Sequence, residues 1–255
     1  MLRENPPPRQ KSWVGPTYKV TIIMLVIGQI QVSIIMEISP LKEFFGERFY
    51  LSLVQFVISF LSIQLYGFFY NIIAKKPMWV RVLAGLWTYE VNTMSIMKPA
   101  KRAPYISLIL SFFLTFAMMI VSIIYGNKAV KHQRGLFTSR HKVILWSERI
   151  FVLTCFGIIV CAEMKRVIIE FPTLLIYTIL SSVFVVVFAA SMRRPNFYRQ
   201  ESDGDYILIG QLYYLNFFAL YMGYVWTTAS FLELMEWNAD IYDIFVQLFY
   251  RENIE

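Results

Sequence analysis

Cysteine is nearly absent from the chain, with only Cys155 and Cys161 in 255 residues. Six positions apart in one apolar run, they fall on different sides of a helix, so neither a disulfide framework nor a CxxC metal or redox pair is on offer. Histidine is as scarce: His132 and His141 both lie in a basic stretch with Lys131, Arg134, Arg140 and Lys142, the pattern of a loop beside anionic head groups rather than a metal pair. No GxSxG, HExxH, P-loop or dinucleotide fingerprint occurs, and no nucleophile and base pair up inside an apolar segment, so the expectation is a protein that is not an enzyme and holds no cofactor. Charged residues make up only 16% of the chain, too few for an ordinary soluble surface. The net charge of +7 sits in short clusters between apolar runs and not along one stripe, which argues against a nucleic-acid partner.

What fills the chain instead is apolar: 57% of its residues are hydrophobic and 17% are aromatic. Such a composition calls for the lipid bilayer as solvent. Spanning takes roughly 20 mostly apolar residues, and seven segments come near that length: Tyr18–Met36, Tyr50–Ile73, Pro77–Met97, Pro104–Tyr125, Val143–Ala162, Phe171–Ser191 and Tyr206–Ser230. The expected fold is therefore an all-α integral membrane protein, a seven-transmembrane helix bundle with short loops. Residues 1–17 form a cytosolic leader rich in proline and basic residues, 18–230 the bundle, and 231–255 an acidic amphipathic tail. The first span has no small-residue cleavage pattern after it and reads as a retained signal anchor. Arg81 and Glu90 in the third segment, and Glu148 with Arg149 in the fifth, make insertion costly there, so a five-span count stays open.

Loop charge sets the orientation. One face would carry Arg3, Arg9, Lys11, Lys75, Lys76, Lys128, Lys131, Arg134, Arg140, Lys142, Arg193, Arg194 and Arg199, which is thirteen. The other has Lys42, Arg48, Lys98, Lys101, Arg102, Lys165, Arg166 and Arg251, which is eight. The bias predicts a cytosolic N-terminus and a tail on the far side. Cytosolic orientation, together with the lack of DRY-like and NPxxY-like segments, argues against a G-protein-coupled receptor.

Polar residues within the spans recur at helical spacing. Ser107, Ser111, Thr115 and Ser122 share one face of the fourth span; Gln55, Ser59 and Ser62 lie on the second, and Gln29 with Ser33 on the first. Small hydroxyl residues let helices approach closely, so packing is favoured over a polar conduit. After the last span, Glu233, Glu236, Asp240 and Asp243 alternate with Phe231, Leu234, Trp237, Ile241, Ile244, Phe245 and Leu248, an amphipathic pattern suited to the membrane interface.

Three stretches resemble the transmembrane Bax inhibitor motif family. "DYILIGQLYYLNFF" is similar to its last-helix signature, with Tyr206, Ile207, Leu208, Leu212, Tyr214 and Leu215 in register and Asn216 where the family has an aspartate. "KPMWVRVLAGLWTYEVNTM" is similar to its third-helix pattern through Pro77, Leu83, Gly85 and Glu90, with Trp79 and Trp87 in place of the expected Asn and Thr. "YKVTIIMLVIGQIQVSIIM" resembles its opening helix. The resemblance implies seven helices in endoplasmic reticulum or Golgi membranes, calcium leak from internal stores as a calcium channel, calcium homeostasis and apoptosis regulation, with calcium ions and other membrane proteins as partners. It also implies a departure. The family's pH latch is a pair of facing aspartates, whereas this chain has Asn216 and no carboxylate between Glu170 and Glu201.

Two residues are then candidates for a pore or gate. Asn216 is read either as an interhelical hydrogen bonder or as a remnant of a pore lining. Glu90, a carboxylate inside a spanning helix, must find a cation, a donor or water. A buried ion pair and a cation-path ligand are both open for it, with Arg149, Arg193 and Arg194 as possible charge partners. The rival to a conducting protein is one that acts through helix contacts with other membrane proteins.

Overall fold

The computed structural model describes residues 14–47, 49–95, 104–132, 167–192 and 206–251, and all of its regular structure there is helical. Eight helices are seen among the described residues: α1 (Val14–Glu37), α2 (Ser39–Glu47), α3 (Phe49–Phe68), α4 (Tyr70–Ala74), α5 (Met78–Ser95), α6 (Tyr105–His132), α7 (Val167–Met192) and α8 (Tyr206–Arg251). The leader up to Trp13, the predicted fifth segment Val143–Ala162, and Arg149, Arg193 and Arg194 lie outside the described residues.

Among the described residues, three helices are long and apolar enough to cross a bilayer, over Val14–Glu37, Tyr105–Lys128 and Ile169–Ala190. Their polarity runs opposite to that of a soluble bundle. Ile23, Ile34, Phe113, Ile120 and Ile179 are exposed, while Thr17, Thr21, Ser111, Thr115, Ser122 and Ser181 are buried. Hydrocarbon makes sense of this, because lipid solvates the branched side chains as well as a core would and leaves small hydroxyls to the seams. The chain is accordingly a membrane protein by its helices, and its apolar outer surface is suited to the lipid bilayer.

The boundaries differ from the periodicity in instructive places. α2 occupies what reads as a loop. The second segment is nearly continuous from Phe49 to Ala74, with an irregularity at Phe69 whose N–H still donates to Leu65 O at 2.8 Å. At the turn into α5, Arg81 and Val80 N–H groups cap Pro77 O, and the Arg81 guanidinium Nε donates to Lys76 O at 2.7 Å. α8 is 46 residues long and runs past Ser230 without a break. At 1.5 Å per residue that is about 69 Å, more than twice a hydrocarbon core of about 30 Å. No proline or glycine interrupts it after Gly223, so the acidic tail continues α8 instead of starting a separate helix. Side chains along α8 are described as far as Glu236.

α8 is the axis. It packs against α7, α1, α6 and α5, and α3 packs on the outside of α5. Two glycines set the approach of α1 and α7 to it. A Cβ on Gly210 would stand 2.7 Å from Val20 Cβ and 3.1 Å from Thr17 O, and one on Gly223 2.7 Å from Thr178 Oγ1. Glycine at these seams is what brings α1 and α7 onto the axis.

Candidate functional site

The middle of α8 presents tyrosines inward, and together they tie it to α1, α5, α6 and α7. Tyr213, fully buried, has its hydroxyl 3.1 Å from Tyr18 Oη on α1 and 2.9 Å from Ser122 Oγ on α6, and lies 3.5 Å from Val185 O on α7. A phenol has one proton and two lone pairs, so three such neighbours can saturate it. Phe188 stacks on its ring at 4.9 Å. Tyr214, also fully buried, shares a hydrogen bond of 2.8 Å with Thr93 on α5. Tyr221 donates to Gln29 Oε1 on α1, whose Nε2 in turn donates to Ser33 at 3.3 Å. Gln211 accepts from Tyr66 of α3 at 2.6 Å and lies against Gly85, where a Cβ would fall 1.7 Å from its Nε2. These bonds close the axis with aromatic rings and paired hydroxyls.

The serine and threonine stripe of α6 is a packing face. All four of its residues are buried; Thr115 donates to Ser111 O at 2.8 Å and Ser122 to Met119 O at 2.7 Å. The second stripe zips α3 to α5, with Gln55 Nε2 on Val91 O, Ser59 on Asn92 Oδ1, and Trp87 Nε1 on Ser62.

Glu90 does not lie in the interior. It is exposed, on the outer side of the seam between α1 and α5, and Gln31 Nε2 donates to its Oε2 at 2.8 Å. Gln31 is itself oriented by the Tyr89 hydroxyl, which donates to its Oε1 at 3.0 Å. Among the described residues, then, the partner of Glu90 is an amide donor. The reason is local: Tyr89 and Thr93 take the inward side of α5 and turn Glu90 outward. Arg81 serves the turn before α5.

Asn216 is half-buried and donates from Nδ2 to Leu212 O, 3.2 Å away in its own helix. Back-bonding to the fourth preceding carbonyl is what a short polar side chain does when no cross-helix acceptor is in reach. The interhelical bond expected of it is not among those the described residues form. Arg149, Arg193 and Arg194, the possible charge partners of Glu90, fall outside the described residues.

The carboxylate that the described bundle does bury is Glu170. It is 1% exposed, in the first turn of α7, and its Oε1 accepts from Trp226 Nε1 at 2.7 Å and Ser230 Oγ at 3.2 Å. The position suits a carboxylate, since free N–H groups and the positive end of the helix dipole lie there. Sequence reasoning stops one residue short of it, starting that span at Phe171. The available signal was the pair Trp226 and Ser230, one helical turn apart and both donors. Among the described residues no group of three or more histidine, cysteine or acidic side chains could hold a metal ion.

No family model matches the chain, and no curated protein or solved structure does either.

Proposed function

We propose that this chain is a non-enzymatic, seven-span membrane protein with a cytosolic N-terminus, acting through helix contacts with other membrane proteins rather than by conducting ions. One observation carries the reading: Glu90, the carboxylate expected to gate a pore, is clasped by Gln31 on the outside of the bundle, while Tyr213, Tyr214 and Phe217 fill the axis.

Helix direction supports the odd span count. α1 runs parallel to α8, since Thr21 meets Gly210 and Gln29 meets Tyr221. α6 is antiparallel, with Ser122 at Tyr213 and Phe112 at Tyr221. α7 is antiparallel as well, with Glu170 at Trp226 and Val185 at Tyr213. α6 and α7 thus share one direction, and the apolar segment Val143–Ala162 between them in sequence has the length of one further crossing. A tag before Lys19 is then expected in the cytosol and one after Arg251 on the opposite side. Both tags on one side would rule out an odd number of crossings.

A second reading follows from the resemblance: a divergent Bax inhibitor-like protein of endoplasmic reticulum or Golgi membranes that modulates calcium leak and cell death. What favours it is that Glu90 and Gln31 offer hard oxygen atoms within a spanning segment. Calcium release from liposomes holding the purified chain separates the two. The first reading expects release no faster than from empty liposomes; release that Glu90→Gln abolishes would replace it with the second.

A further inference from the structure

The outer side of the α1–α5 seam combines features that do not suit lipid alone. On α1 the stripe is Ile27, Gln31 and Ile34, and on α5 it is Leu83, Leu86 and Glu90; the four apolar members are all exposed. In the seven-span reading the polar pair lies at mid-depth. Gln29 bonds to Tyr221, and Thr93, one turn from Glu90, bonds to Tyr214, so the Glu90–Gln31 pair is level with the middle of the Tyr206–Ser230 run. A carboxylate at that depth, exposed and flanked by aliphatic side chains, is costly against hydrocarbon and marks a functional contact. Its orientation is also secured, because Gln31 holds Oε2 and Tyr89 holds Gln31.

Resting on the reading of an interaction protein, we propose that this seam docks a transmembrane helix of another protein that carries one lysine or arginine at mid-depth. Charge complementarity selects the occupant. A second copy joined two-fold across the same face would set Glu90 against Glu90, and like charges brought together in a low dielectric repel. Among the described residues, the basic side chains at Lys19, Arg81 and Lys128 lie toward the ends of their helices, so none of these offers a cation at the level of Glu90. The apolar members give the incoming helix packing surface, and the acid–base pair gives register.

The test uses the full chain in phosphatidylcholine liposomes with a fluorescent polyleucine transmembrane peptide bearing a single central lysine. Association is expected to be about tenfold tighter than for the all-leucine peptide. Glu90→Gln should erase the difference, and Glu90→Lys should transfer the preference to a peptide with a central glutamate, a gain that misfolding cannot produce. Equal binding of lysine and leucine peptides overturns the proposal. So does a lysine preference that emerges only in Arg149→Leu, which would mean the chain fills its own seam, or Glu90-dependent self-association without peptide, which would mean a second copy does. Calcium release read in the same liposomes without peptide keeps the outcomes apart: Glu90-dependent flux removes the interaction reading whatever the peptide does, whereas no flux with no lysine preference removes only the docking site.

Discussion

Glu170 and Glu90 are both carboxylates of membrane helices, and the bundle treats them in opposite ways. Glu170 is buried between α7 and α8 with two donors on one oxygen; Glu90 is exposed between α1 and α5 with one amide. The difference lies in the neighbouring helix. Trp226 and Ser230 present N–H and O–H groups one turn apart on α8, so a carboxylate can be drawn in and satisfied. Opposite Glu90 the inner places belong to Tyr89, which donates to Gln31, and to Thr93 and Tyr214, which bond each other, so no charge is needed there. A carboxylate is therefore structural where the axis supplies donors, and available for a partner where it does not.

Mutations can break this contrast, and the largest effect belongs to Glu170. Glu170→Ala strands the Trp226 and Ser230 donors and leaves a void, so a loss of about 3 kcal/mol is expected in detergent unfolding, followed through Trp fluorescence. If Glu170→Ala and Glu90→Ala were to melt alike, the two sites would not differ in the way described. Next comes Gly210→Ala, whose Cβ presses on Val20 and on the Thr17 carbonyl where little can yield. About 2 kcal/mol is expected, with α1 loosened from α8 and protease cleavage near the N-terminus accelerated.

Tyr213→Phe keeps the ring packing and removes the shared hydroxyl of three helices. About 1 kcal/mol is expected, since cross-helix hydrogen bonds in lipid are modest. A cost of several kcal/mol would mean that the polar knot, and not close packing, holds the axis. Glu90→Gln should change stability by less than about 0.6 kcal/mol, because Gln31 can pair with an amide as it does with a carboxylate. That is far below the roughly 3–5 kcal/mol that breaking a buried ion pair would cost. The smallest effect is expected for Asn216→Leu: its amide bonds only within α8 among the described residues, so a melting temperature within a degree or two of the parent is the expected result. A large loss there would reveal a cross-helix acceptor for Asn216.

The legible part of this protein was its periodicity. Apolar runs of spanning length foretold α1, α6 and α7 to within a few residues, apart from the extra turns of α6, and the hydroxyl stripes of α3 and α6 foretold faces that prove to be buried. Gly85 and Gly210 could be seen as small residues, but not which neighbour each would admit. The fall in hydropathy after Ser230 marks the end of an apolar span and not of a helix: α8 continues to Arg251, because helix continuity depends on backbone bonding and the lack of breakers.

Solvent is what the sequence by itself determined. A chain so apolar, with its charges confined to short clusters, has to place its helices in lipid, and there every backbone group must be bonded within its own helix. Which carboxylate turns inward was decided only by tertiary structure. Glu90 sits in mid-segment and Glu170 at a segment's edge, so hydropathy points to the first as the buried one. Burial depends instead on whether the facing helix has donors at that height, and Trp226 and Ser230 reach the height of Glu170 only because α7 and α8 lie antiparallel and in contact at Gly223.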